Sequence, residues 1–136
     1  MEFCQETLMR TGHEKTGRPR LVVAYADSIH AARSSRHFRR QGWEVHQVDS
    51  AAEARRLIAD LAPQLVVLDT ELADESGWLL CAKLRLEHPQ QRIILLCPEL
   101  TPERQRRSEF VGAAELMTRE ESVNALREEI HEVLVA

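Results

Sequence analysis

Apolar positions in this chain fall into short runs separated by longer amphipathic stretches. Leu21–Ala24 is the first run, and Trp43–Val48 alternates apolar and polar residues. Leu65–Leu68 reads LVVL and runs straight into Asp69, while Arg92–Leu96 carries IILL and leads to Cys97-Pro98. Gly112–Met117 is the last such segment. Runs of this length bounded by turn residues read as strands. The stretches between them have helical periodicity and recognisable ends. Ile29–Gln41 stops at Gly42, which suits a helix C-terminus. Ala51–Leu61 has Ser50 as a candidate N-cap, Glu53 at capping-box spacing and Pro63 to close it. Trp78–Glu87 ends before Pro89, and Pro102–Val111 begins with Thr101 as cap and a proline at the first helical position. Ser122–Leu134 aligns Val123, Leu126, Ile130, Val133 and Leu134 on one stripe.

The order is therefore (βα)5. Continuous apolar strands alternating with amphipathic helices imply a parallel sheet covered on both faces. Right-handed crossovers reduce the options to an α/β, doubly wound, five-stranded flavodoxin-like sheet. In such a sheet the site lies beyond the C-terminal ends of the strands. That rule gathers Tyr25, Ala26, Asp27, Asp69, Cys97 and Arg119 around one crevice. Residues 1–19 lack apolar periodicity and read as a mobile arm or short pre-helix, leaving 20–136 as the folded domain.

Composition narrows the function. The 136 residues suit one domain with one real core, and with aromatics at only 4% that core must be aliphatic. The formal net charge is −4, which disfavours nucleic-acid binding through a global basic field. A local basic run, Arg33, Arg36, Arg39 and Arg40, reads first as a solvated helix face. Glu128, Glu129 and Glu132 near the C-terminus make a charge-paired self-contact conceivable. No apolar run is long enough to span a bilayer, and the N-terminus has no secretory h-region, so no membrane association is expected. Cys4, Cys81 and Cys97 match no metal-ligand spacing and no even disulfide set, which fits a reducing cytoplasm.

Two residues carry candidate chemistry. Asp69, at the mouth of a buried strand, suits a nucleophile or a ligand; the competing reading is a strand-end carboxylate that caps the next loop. Arg119 is permanently charged and can pair with Asp69 across the crevice, or it can face solvent. Cys97 reads as a plain semi-buried thiol, since a redox role needs a lowered pKa. None of the six histidines, His131 included, has a second metal ligand at useful spacing. There is no Ser-His-Asp set and no Gly-rich phosphate loop.

Over residues 20–135 the chain resembles a response-regulator receiver domain. The resemblance rests on Asp69 after LVVL with its loop closing at Gly77, on Cys97-Pro98 after the fourth strand, and on GAAELMTRE from Gly112 to Glu120. It implies that Asp69 is the phosphoacceptor position and that Cys97, Leu116 and Arg119 are switch positions. It also shows departures. Tyr25 and Ala26 stand where the family carries an acidic pair for Mg²⁺, with Asp27 as the neighbouring acid. Cys97 replaces a hydroxyl residue, and Leu116 an aromatic. Arg119 replaces a lysine, Glu120 the proline after it, and Ala73 the loop proline. Mg²⁺ demands several hard oxygen ligands, and phosphoryl transfer without it loses its main charge stabiliser.

The expectation is an atypical receiver, a pseudo-receiver that acts as a protein-interaction module independent of phosphorylation, with no catalytic residues and no cofactor. If Mg²⁺ binds at all, Asp69 with Asp27 would hold it. The expected partner is a protein, a histidine kinase or another signalling protein. A homodimer through helix 4, strand 5 and helix 5 is the other expected contact. Two alternatives stand beside it: a working receiver phosphorylated on Asp69 by a histidine kinase, and an unrelated flavodoxin-like binding domain.

Overall fold

The computed structural model describes residues 17–119. The N-terminal segment before Gly17 and the helix expected over Ser122–Leu134 lie outside the described residues. Five strands and four helices alternate: β1 (Arg20–Ala24), α1 (Ser28–Arg40), β2 (Glu44–Val48), α2 (Ala51–Leu61), β3 (Leu65–Asp69), α3 (Gly77–Glu87), β4 (Ile93–Cys97), α4 (Pro102–Val111) and β5 (Glu115–Thr118). The strands pair in parallel in the order β2-β1-β3-β4-β5. This is the doubly wound parallel sheet that the alternating runs imply.

Strand alternation sends successive side chains to opposite faces and splits the interior in two. On one face Val22, Val66, Leu68, Ile93 and Leu95 pack against Ala54 and Ile58 of α2 and Leu80 and Leu84 of α3, with Trp78 and Val111 at the margin. On the other, Leu21, Val23, Val67, Ile94 and Leu96 pack against Ala31 and Phe38 of α1 and enclose Trp43. The three central strands are buried along their whole length, which is why they read as unbroken apolar runs.

Each described helix starts at a side-chain cap. Asp27, Ser50, Ser76 and Thr101 accept hydrogen bonds from the first free N–H groups of α1, α2, α3 and α4, the groups that no carbonyl of the same helix can reach. The helix ends differ in detail from the sequence expectation. Gln41 caps α1, and Gly42 follows at φ 96° as the left-handed residue beyond it. Gly112, expected to open the last strand, instead caps α4 at φ 84°, so β5 begins only at Glu115. The capping box on α2 is also rearranged. Ser50 accepts from the Glu53 N–H, but the Glu53 carboxylate pairs with Arg56. Asp74, from the loop after β3, accepts from Ala51 N at 2.8 Å and Ala52 N at 3.1 Å.

Candidate functional site

Asp69 closes β3 at the C-terminal edge of the sheet, between β1 and β4. Its backbone is held on both sides. Asp69 stands opposite Leu96 in the β3–β4 register, and Thr70 N donates to Leu96 O at 2.9 Å. Gly77 N donates to Thr70 O at 2.9 Å, which brings the start of α3 against the end of β3. Gly77 is glycine for that reason: a Cβ there would run into the Asp69 carbonyl oxygen and lie 2.8 Å from Thr70 Cα. The loop between is tied down further by a Glu71–Ser76 bridge, by the Asp74 cap on α2 and by the Lys83–Glu75 ion pair at 2.9 Å.

The Asp69 carboxylate is buried and fully engaged. Arg119 donates through Nε to Oδ2 at 2.6 Å and through Nη2 to Oδ1 at 2.5 Å. Glu71 N donates to Oδ1 at 2.9 Å. Such a fork is the strongest geometry available to an arginine–carboxylate pair. Arg119 Nη2 also reaches Glu71 Oε1 at 3.2 Å. The hydrogen bonds to Asp69 are the main reason that the guanidinium is held still more firmly in its charged form; partial burial opposes the effect, and the Asp69 and Glu71 charges add to it. The pair that strand position makes possible is therefore formed, and Glu71 completes it. A carboxylate bonding the N–H two residues on is a common turn at aspartate, so that contact was visible in principle from the spacing.

Tyr25 stands beside this pair. It is 1% exposed, and burial pushes its phenol up to about 12; the nearby Ser34 hydroxyl opposes the rise and the Asp69 charge adds to it. Tyr25 Oη and Ser34 Oγ are both buried, and neither closes a sound hydrogen bond. The His30 ring stacks on Tyr25 at 5.1 Å between centroids. Ala26 is exposed at the start of the β1–α1 turn. Asp27 caps α1, accepting from Ile29 N at 3.0 Å and His30 N at 3.3 Å.

These residues do not fit a divalent cation. The Asp69 oxygens are taken by Arg119 and Glu71 N, Asp27 is committed to its helix, and Tyr25 presents a neutral phenol. Among the described residues no three His, Cys, Asp or Glu side chains group closely enough to hold a metal.

The other two residues expected as switch positions, Cys97 and Leu116, belong to the core. Cys97 is buried among the aliphatic side chains on the α2–α3 side, and its thiol donates to Glu99 O at 3.3 Å. Leu116 packs in the same cluster at 4% exposure. Glu120 lies outside the described residues. A cleft of about 300 Å³ opens beside Tyr25, Ser28, Gln47 and Asp49. A wider hollow of about 540 Å³ at the opposite end of the sheet, by Pro63 and His88, touches none of the crevice residues.

The family model of the response regulator receiver domain matches residues 22–131. No curated protein matches the chain. Among solved structures, the chain is similar to a CheY-like response regulator receiver domain protein from Methanospirillum hungatei, with 19% identity, a TM-score of 0.75, and 85% of this chain and 96% of that one covered. It is similar to the chemotaxis response regulator CheY4 of Vibrio cholerae at 16% identity and TM-score 0.78, over 85% of this chain and 98% of that one. It also resembles a LuxR-family DNA-binding response regulator from Staphylococcus aureus at 21% and 0.77, over 85% and 98%. These likenesses match the parallel five-stranded sheet, and with the family match spanning most of its length, the chain belongs to the response regulator receiver domain family.

Proposed function

We propose that this receiver domain works as a protein-interaction module whose conformation does not depend on phosphorylation of Asp69. One observation carries the reading: both Asp69 carboxylate oxygens are bound, by the Arg119 fork and Glu71 N. An incoming phosphoryl group would have to displace a buried, charge-assisted pair. It would do so without the cation that normally offsets its charge. The departures at Tyr25, Ala26 and Cys97 point the same way. The domain is a signalling module without an enzymatic role of its own. Its partner is a protein, a histidine kinase or another component of a two-component system. Contact or homodimerisation through α4, β5 and the segment after it follows from the family resemblance. The buried thiol of Cys81, joined in no disulfide among the described residues, suits a reducing cytoplasm. Among the described residues no helix is long and apolar enough to cross a membrane.

A second reading is favoured by the same fork. A guanidinium that grips a carboxylate grips a phosphoryl group equally well, so Arg119 could stabilise a phosphorylated Asp69 in an unusual working receiver. Incubation with acetyl phosphate and Mg²⁺, followed by intact-mass spectrometry, separates the two. The expected result is no phosphoryl adduct and no change in Trp78 fluorescence as Mg²⁺ is added. A stoichiometric adduct that is absent in Asp69→Asn would overturn the first reading in favour of the second.

A further inference from the structure

Helices α2 and α3 begin at the crevice, where Asp74 caps α2 and Gly77 opens α3. They end at the opposite edge of the sheet, around the hollow of about 540 Å³. Ile58, Ala59 and Pro63 line it on one side and His88 and Pro89 on the other, with Gln64 between. The volume is in the range that buries apolar groups. Two helix C-termini also give its mouth a partial negative charge. The last turn of α2 carries no basic residue, and Arg85 of α3 donates to Gly112 O and Pro89 O. The hollow therefore suits an apolar occupant that carries a cation.

The chain enters the fold beside this hollow. Arg20 N donates to Gln64 Oε1 at 2.7 Å, and Gln64 N donates to Arg20 O at 3.0 Å. Arg20 Nη1 donates to Leu61 O, at the end of α2, at 3.1 Å. The segment before Arg20 is thus tethered at the rim. Residues 1–16, which lie outside the described residues, read MEFCQETLMRTGHEKT. Their apolar side chains include Phe3, Leu8 and Met9, and Arg10 follows directly. Counted back from Gly17, Leu8 can lie up to about 30 Å away in an extended chain, so the arm reaches the hollow with length to spare.

We propose that residues 1–16 fold back into this hollow, with Phe3, Leu8 and Met9 against Ile58, Pro63 and Pro89, and Arg10 against the carbonyl ends of α2 and α3. The arm of a second copy, or a partner's peptide, fits less well. The tether at Arg20 holds the chain's own arm at a high local concentration, which a separate molecule has to match. The occupant rests on the two helices that frame the Asp69 loop, so the arm braces the crevice from its far end. The hollow touches none of the crevice residues, and the arm's role stands whether or not Asp69 accepts phosphate.

The test uses the full chain with a nitroxide spin label on Cys4, in the arm; Cys81 and Cys97 are buried and slow to react. The expected result is broadening of amide resonances centred on residues 58–64 and 87–91, unchanged when the labelled chain is diluted into unlabelled chain. The broadening is lost in the triple variant Phe3→Ser, Leu8→Ser, Met9→Ser. It is lost too in Ala59→Lys, which sets a cation at the mouth on an exposed position that suits a helix C-terminus. Amide shifts of the unlabelled chain give a second reading, should the label disturb the contact: the triple variant moves the resonances of 58–64 and 87–91 and leaves the rest of the sheet in place. Three outcomes overturn the proposal. They are broadening that is absent or evenly spread with no shift at the hollow, broadening centred elsewhere, and broadening at the hollow that fades on dilution, which assigns it to the arm of a second copy.

Discussion

A phenol buried beside a carboxylate has one comfortable charge state. Tyr25 is neutral in the fold and its pKa is raised to about 12, against about 10 for the unfolded chain. Because the folded value lies above the unfolded one, the folded state holds the proton longer. The associated stability is complete below about pH 10 and is lost as pH rises from there through about 12. Tyr25 is the chain's one tyrosine, so phenolate absorbance reads this titration directly, and the alkaline limb of stability should flatten in Tyr25→Phe. Near neutrality the same substitution removes an unpartnered buried hydroxyl, so thermal unfolding should show it neutral or stabilised by about 1 kcal/mol. Arg119→Ala acts in the opposite direction. It leaves Asp69 buried with Glu71 N as its one remaining donor among the described residues. Removing one partner of a buried pair costs about 3–5 kcal/mol; since the Arg119 side chain is 26% exposed, urea denaturation should show about 2–3 kcal/mol. Asp69 and Arg119 were legible as strand-end residues because strand ends are set by apolar runs. The capping role of Asp27 was hidden because α1 starts at Ser28, one residue before its apolar periodicity begins.

At the scale of elements, the crevice is shaped by how closely α3 approaches the end of β3. Gly77 alone permits that approach. Gly77→Ala must push the Thr70 backbone or the first turn of α3 aside, a backbone clash that no side chain can relieve. The expected cost is about 3 kcal/mol or more, read as a lowered denaturation midpoint with unchanged slope. The sequence placed Gly77 at the close of the loop by resemblance but offered no sign of the contact, which depends on chain direction in three dimensions. The Asp74 cap on α2 was equally invisible: its acceptor lies more than twenty residues from the N–H groups it serves, so no local spacing encodes it. The local caps Ser50, Ser76 and Thr101 act within their own helix starts, and the two that were proposed from sequence, Ser50 and Thr101, cap as expected.

At the scale of the molecule, the described residues form two apolar layers divided by one sheet. That architecture was readable because β1, β3 and β4 are buried on both faces and so leave continuous apolar runs, while the edge strand β2 alternates. Hydrogen exchange should follow the same division. Amides of β1, β3 and β4 should exchange last, through global unfolding, and those of β2 sooner. Acetyl phosphate with Mg²⁺ should leave that order unchanged, and a new protected segment around α4 and β5 would argue for a phosphorylation-driven switch. The two tryptophans extend the division into an optical one. Trp43 is enclosed in the layer beneath α1, and Trp78 borders the other, under the Arg107 guanidinium. Each layer therefore carries its own chromophore. A pair of single-tryptophan proteins, one with Trp78→Phe and one with Trp43→Phe, becomes a two-channel stopwatch that shows whether the halves of the core assemble in one event or in succession.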